Sequence, residues 1–156
     1  MASDRTGTWQ LYDLIISTGS MIQLTDEPHV QPGSALLDPN TMTAYYWADN
    51  TLKSVALDTL DEESYYTLPQ GFHGSILSIT GDGNLIHFAY SENLNLSMST
   101  GKIYSHMNET LFRRPSSVIM QVNVKDKSAK AIWGEREWIS HVNTSPVDSD
   151  IVCFCH

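Results

Sequence analysis

Six histidines, His29, His73, His87, His106, His141 and His156, are the side chains of this sequence best suited to hold an anion or move a proton near neutral pH. Two of them stand in connecting segments, His29 in QLTDEPHVQPGS and His73 in LPQGFHGS, while His141 in WISHVNTSP opens an innermost strand and His156 ends the strand that follows. His87 lies inside the apolar run LIHFAY, where a lone histidine reads first as a packing residue. Arg113 and Arg114 adjoin in LFRRPSS; they suit a carboxylate through bidentate hydrogen bonds, but read first as a solvated loop pair. Cys153 and Cys155 share one face of any strand built from IVCFCH. A bridge between them is strained, so they read as free thiols of a reducing compartment. With His156 they make an incomplete metal set, because no second cysteine or histidine cluster accompanies them. Asn95, Asn108 and Asn143 head sequons of the kind that a chain rich in Ser and Thr acquires by chance.

The elements that position these residues are strands. The chain has 156 residues, 41% of them apolar, enough for one domain with a real core. Apolar residues alternate with period two in short runs bounded by turn residues, which predicts an all-β fold. Hairpins of one kind turn at Ser17-Thr18-Gly19, at Asp58 to Asp61 and at Asp126-Lys127. Hairpins of a second kind turn at Asp38-Pro39-Asn40, at Gly81 to Asn84 and at Pro146 to Ser149. Each series steps by about 42 residues and then by about 66, and the shorter step is the length of a four-stranded propeller blade. The longer step is the same period with an insertion at 91–115 between the second and third strands of its blade. The expected organisation is a partial β-propeller of about three blades: a half blade at 9–25, a blade at 33–68, a blade at 74–133 carrying the insertion, and a half blade at 138–156. An ordinary β-sandwich is the competing architecture. Three blades fall short of a closed ring, so the chain is expected to be a piece of a longer propeller, or one of several copies that close a ring together.

Charge narrows the partners. The net charge is −9, and residues 1–100 hold 2 Lys or Arg against 12 Asp or Glu. Such a surface repels phosphate backbones, which argues against nucleic acid. No apolar run spans a membrane and no secretory signal opens the sequence, so a cytoplasmic, membrane-free protein is expected.

The segment SVIMQVNVKDKSAKAIWGEREWISHVNTSPVDSDIVCFCH resembles the middle of the oligogalacturonate lyases, with a Trp-containing segment before His141 and a Phe-Cys-His strand end at His156. TWQLYDL and YYWADNTLKSVALDTLDEESYYTLP are similar to the preceding blades, so the resemblance covers nearly the whole chain. Ser140 and Val142 flank His141 where the family has Gly and Pro. The resemblance implies a seven-bladed propeller that cleaves short 4-linked galacturonate chains, acidic pectin fragments, by β-elimination. It implies a manganese ion held mainly by histidines of later blades, with the catalytic residues also beyond His156. What carries over is substrate binding by His141 and His156, with no catalytic or metal residue in this chain and no activity from it alone. A non-catalytic propeller segment of the WD40 or TolB kind, used for binding or assembly, is the alternative.

Overall fold

A computed structural model describes residues 1–96 and 106–156; the centre of the 91–115 insertion lies outside the described residues. Every strand pairing is antiparallel. The first sheet has the order β1 (Ala2–Ser3), β2 (Gln10–Ile15), β3 (Ser20–Gln23). The second is a four-stranded meander of β4 (Leu36–Asp38), β5 (Thr43–Ala48), β6 (Thr51–Ala56) and β7 (Glu62–Thr67). In the third, β8 (Phe72–Gly74) and β9 (Ser78–Ile79) both pair with β10 (Leu85–Glu92), followed by β11 (Ser117–Asn123) and β12 (Ala129–Glu135). A helix, α1 (Met107–Arg113), lies between β10 and β11. The last sheet is the pair β13 (His141–Thr144) and β14 (Val152–Cys155).

Strand alternation explains how the sheets stack. Along β5, Ala44, Tyr46 and Ala48 pack with Leu11, Leu24 and Val30 on one side, while Tyr45 and Trp47 pack with Leu77, Ile86 and Phe88 on the other. Along β10, Ile86 and Phe88 face the second sheet, and Ala89 joins Ile119, Ile139 and Val142 against the last. Each inner sheet is therefore buried on both faces, the arrangement of successive propeller blades. The fold is all-β, a partial β-propeller. Each fully buried large side chain of these interfaces contributes roughly 1.5–3 kcal/mol, so the three seams carry most of the stability.

Close approaches fix the seams. Trp47 is 2% exposed, donates from Nε1 to the Ser75 carbonyl at 2.8 Å, and stands edge-on to Phe88 with centroids 4.9 Å apart. It fits because residue 74 is Gly: a Cβ there would lie 2.5 Å from Trp47 Cε2. At the opposite end of the sheets a Cβ on Gly81 would lie 2.0 Å from the Pro146 carbonyl oxygen. Between these points Ser78 Oγ accepts from the Thr144 amide at 2.9 Å, and Thr144 Oγ1 donates to the Ile79 carbonyl at 2.8 Å.

The inner strand of the third sheet is divided into β8 and β9, unlike the single strand that SILSIT suggests. Ser75 is the reason: its amide bonds the Ala89 carbonyl, and its Oγ accepts the Ala89 amide at 2.9 Å in place of a backbone carbonyl. Ser34 does the same for the Trp47 amide at 2.9 Å. β10 also runs two residues into the insertion, where Ser91 pairs with Ser117 through their hydroxyls at 2.8 Å.

Candidate functional site

Antiparallel meanders send their connections to two opposite rims. One rim carries the links from β3 to β4, β5 to β6, β7 to β8, β10 to β11 and β12 to β13. His29, His73, His141 and His156 all stand at this rim by topology. The other carries tight acidic turns, in which the buried Asp38 accepts from the Asn40 amide at 2.9 Å and from Thr41 Oγ1 at 2.7 Å. Asp82 likewise accepts from Thr80 Oγ1 and from the Asn84 amide, and these hydrogen bonds hold its carboxyl below the usual range. Those aspartates shape backbone, and the histidine rim is the one with chemistry to offer.

Two hollows open on the histidine rim. A cleft of about 500 Å³ is lined by His73, Glu92, Asn93, Leu94, Leu96, Thr110, Pro115 and Trp138. A smaller hollow of about 240 Å³ is lined by His29, Gln31, Trp47, Asp49 and Asn50. Asp49 and Asn50 form the two-residue turn between β5 and β6 with φ of 46° and 60°, the left-handed pair that a tight hairpin demands. In the larger cleft His73 Nδ1 meets Asn93 Oδ1 at 2.8 Å, and the Asn93 amide is anchored to the Gly71 carbonyl at 2.8 Å. The amide oxygen can only accept, so the proton sits on Nδ1 and Nε2 is left for a ligand.

His141 and His156 both reach this rim, on opposite faces of the last sheet. His141 opposes Cys155 in the β13–β14 ladder, and its Nδ1 lies 2.9 Å from Ser140 Oγ and 3.5 Å from Cys155 Sγ. His156 stacks on Phe154, with centroids 5.7 Å apart, and its Nε2 is 3.4 Å from Glu135 Oε1. Phe154 packs toward the third sheet, so His156 turns to that side and His141 away from it. The two arginines also diverge: Arg113 pairs with Glu109 at 3.2 Å on its own helix and reaches the Asn95 carbonyl at 3.5 Å, whereas Arg114 pairs with Glu137. Arg114 closes α1 in a left-handed conformation with φ of 49°, which is what turns its side chain from its neighbour's.

His87 is fully buried on the face toward the last sheet, hydrogen-bonded through Nε2 to Gln121 at 2.9 Å. Its Nδ1 is buried without a partner, and burial first, then Lys130, pushes its pKa down. It is a packing residue. Cys153 and Cys155 are free and exposed. Among the described residues no group of three or more His, Cys, Asp or Glu is placed to hold a metal ion. Glu92 and Asn93 were not singled out by the sequence, and Trp138 only as part of the segment that carries the family resemblance; a Trp in the link between two sheets and a polar pair at the mouth of an insertion are the signals that mark them.

Comparison with known proteins assigns this architecture. The family model described as oligogalacturonate lyase matches residues 2–156. The oligogalacturonate lyase of Dickeya dadantii is 24% identical over 153 residues, and the oligogalacturonide lyase of Pectobacterium atrosepticum 25% identical over 154. Each alignment covers 96% of this chain and 39% of the relative, so the chain spans about two fifths of their length. In shape it matches an oligogalacturonate lyase in complex with manganese with a TM-score of 0.84 at 23% identity, covering 99% of this chain and 41% of that one. TolB from Acinetobacter baumannii matches less closely, with a TM-score of 0.66 at 16% identity over 99% of this chain and 34% of that one. With the family model matched from residue 2 to residue 156 and the sheets superposing on a solved member, the chain belongs to the oligogalacturonate lyase family.

Proposed function

We propose that this chain forms part of the propeller of a lyase that cleaves short 4-linked galacturonate oligomers by β-elimination. The observation that carries the reading is the family match over residues 2–156, made by the same residues that build the four sheets and the histidine rim. The better superposition on the lyase than on TolB favours it over a non-catalytic segment of TolB type. The chemistry has three requirements. A base takes the C5 proton, the C6 carboxylate is neutralised so that this proton becomes acidic, and the 4-oxygen leaves.

The described residues serve the second requirement. His141 on the rim, with an imidazole fixed by Ser140, is a partner for a galacturonate carboxylate. His156, committed toward Glu135, serves the substrate by holding the end of β14. One oligogalacturonate lyase that the chain resembles in shape is a complex with manganese; such an ion, where bound, would supply Lewis-acid neutralisation of a carboxylate. The described residues do not fit a manganese site, having no convergent ligand set, and no step of the reaction is assigned to a metal held by them. In this reading the base and the metal ligands lie in the part of the relatives' length that this chain does not span.

The test is an absorbance assay for the unsaturated uronate product, with digalacturonate and manganese, on this chain and on a form carried to the relatives' full length. Product from the extended form alone is the expected result. A folded extended form that makes none overturns the reading.

A further inference from the structure

We propose that Cys155 is a site of reversible thiolation, at which a small organic disulfide is captured as a mixed disulfide while His141 takes the thiol proton. The site does not depend on the lyase reading. Only its consequence rests on that reading: an adduct on Cys155 covers the imidazole offered to a galacturonate carboxylate.

The ladder of the last sheet builds the site and its internal control. Residues opposite each other in an antiparallel ladder share a face, so His141, Asn143, Cys153 and Cys155 line one face of the β13–β14 pair. Val142 and Phe154 turn to the other face and pack against the third sheet. Both thiols are free and exposed, on the same strand and the same face. They differ in what lies across from them: Cys155 opposes His141, whereas Cys153 opposes Asn143. A side-chain amide has no basic nitrogen, so only Cys155 faces a group that takes up its proton.

The contacts close into a triangle. Cys155 Sγ lies 3.5 Å from His141 Nδ1 and 3.1 Å from Ser140 Oγ, which is itself 2.9 Å from Nδ1. The Ser140 amide donates to the Cys155 carbonyl at 3.0 Å and ties the two segments together at this point. The thiol proton passes to Nδ1, directly or through the Ser140 hydroxyl, and the thiolate left behind accepts from that hydroxyl. The thiolate attacks one sulfur of the disulfide: a new bond forms to Sγ, the disulfide's own S–S bond breaks, and the departing thiolate takes the proton from the His141 imidazolium. Cys155 is oxidised and the released thiol is the reduced product, so no other oxidant enters. A small thiol in excess reverses the exchange by attack on the same bond.

The experiment exposes this chain at pH 7 to bis(2-hydroxyethyl) disulfide, a neutral probe, and follows each cysteine by mass analysis of peptides after acid quench. Cys155 is expected to react about tenfold faster than Cys153. His141→Asn makes the two rungs alike and should bring the two rates within about twofold of each other. Asn143→His, at an exposed position, should raise the rate of Cys153 by about tenfold, and keeps the test valid if His141→Asn fails to fold. Excess thiol should return both cysteines to their unmodified mass. Equal rates in the wild type, a lead of Cys155 that survives in folded His141→Asn, a Cys153 rate unmoved in folded Asn143→His, or an adduct that resists thiol overturns the proposal. The readout is thiol chemistry alone, so it holds or fails separately from elimination by the full-length form.

Discussion

Gly74→Ala is the substitution that most directly probes how the second and third sheets meet. The new methyl would lie 2.5, 2.7 and 2.8 Å from Trp47 Cε2, Cζ2 and Nε1, all distances that carbon and nitrogen atoms do not tolerate. Trp47 cannot swing aside freely, being wedged edge-on against Phe88 at 4.9 Å and hydrogen-bonded to the Ser75 carbonyl at 2.8 Å. Overpacking of this kind costs about 2 kcal/mol, and breaking the indole hydrogen bond about 1 kcal/mol more. A total of about 3 kcal/mol lowers the melting temperature of a domain this size by about 6–12 °C. Urea unfolding of Gly74→Ala, with and without Trp47→Leu, measures the clash as a coupling energy. In the Trp47→Leu background the alanine should cost close to nothing, because the ring that it strikes is gone. A cost below about 0.5 kcal/mol in the wild-type background, within the scatter of neutral surface changes, would refute the reasoning.

Three further outcomes follow from the same geometry. Burial lowers the folded-state pKa of His87, so below the unfolded value of about 6.5 only the unfolded chain takes up that proton. Stability should therefore fall as pH drops through about 6.5, and fall less in His87→Gln; equal urea midpoints at pH 7 and pH 5 for wild type would contradict this. Asp38→Ala removes the acceptor for the Asn40 amide and Thr41 Oγ1 and should cost about 2–3 kcal/mol by thermal melting, with Asp38→Asn costing less. Cys153 and Cys155, free and exposed, should both react with an aromatic disulfide reagent without denaturant; fewer than two equivalents of reaction would show that one is covered or bonded.

Much of the architecture is written in local pattern. Short runs with period two, closed by Asp-Pro-Asn, Gly-Asp-Gly-Asn or Asp-Lys, mark antiparallel hairpins because those residues accept the turn geometries that hairpins need. β5 shows where pattern stops: TAYYWA is buried on both faces, so its continuous apolar run does not say that Tyr45 and Trp47 serve one seam and Tyr46 another. α1 was invisible because it buries nothing, and a helix without an apolar face has no periodic signature. The division of the inner strand at Ser75 depends on a side chain replacing a carbonyl, which composition does not reveal. The cleft was illegible for a different reason. His73, Asn93 and Trp138 come from three separate connections, and only the stacking of sheets brings them together. That His141 and His156 face opposite sides depends on the pairing of His141 with Cys155, which the sequence does not print.

The central claim is that the residues 2–156 matched by the family model serve an elimination on galacturonate oligomers. The most direct test is mass analysis of the products that the full-length form releases from digalacturonate with manganese. Elimination leaves one galacturonate and one unsaturated partner lighter by a water, and the account predicts that pair. Two identical saturated galacturonates, the outcome of hydrolysis, or intact substrate beside a folded protein, would contradict it.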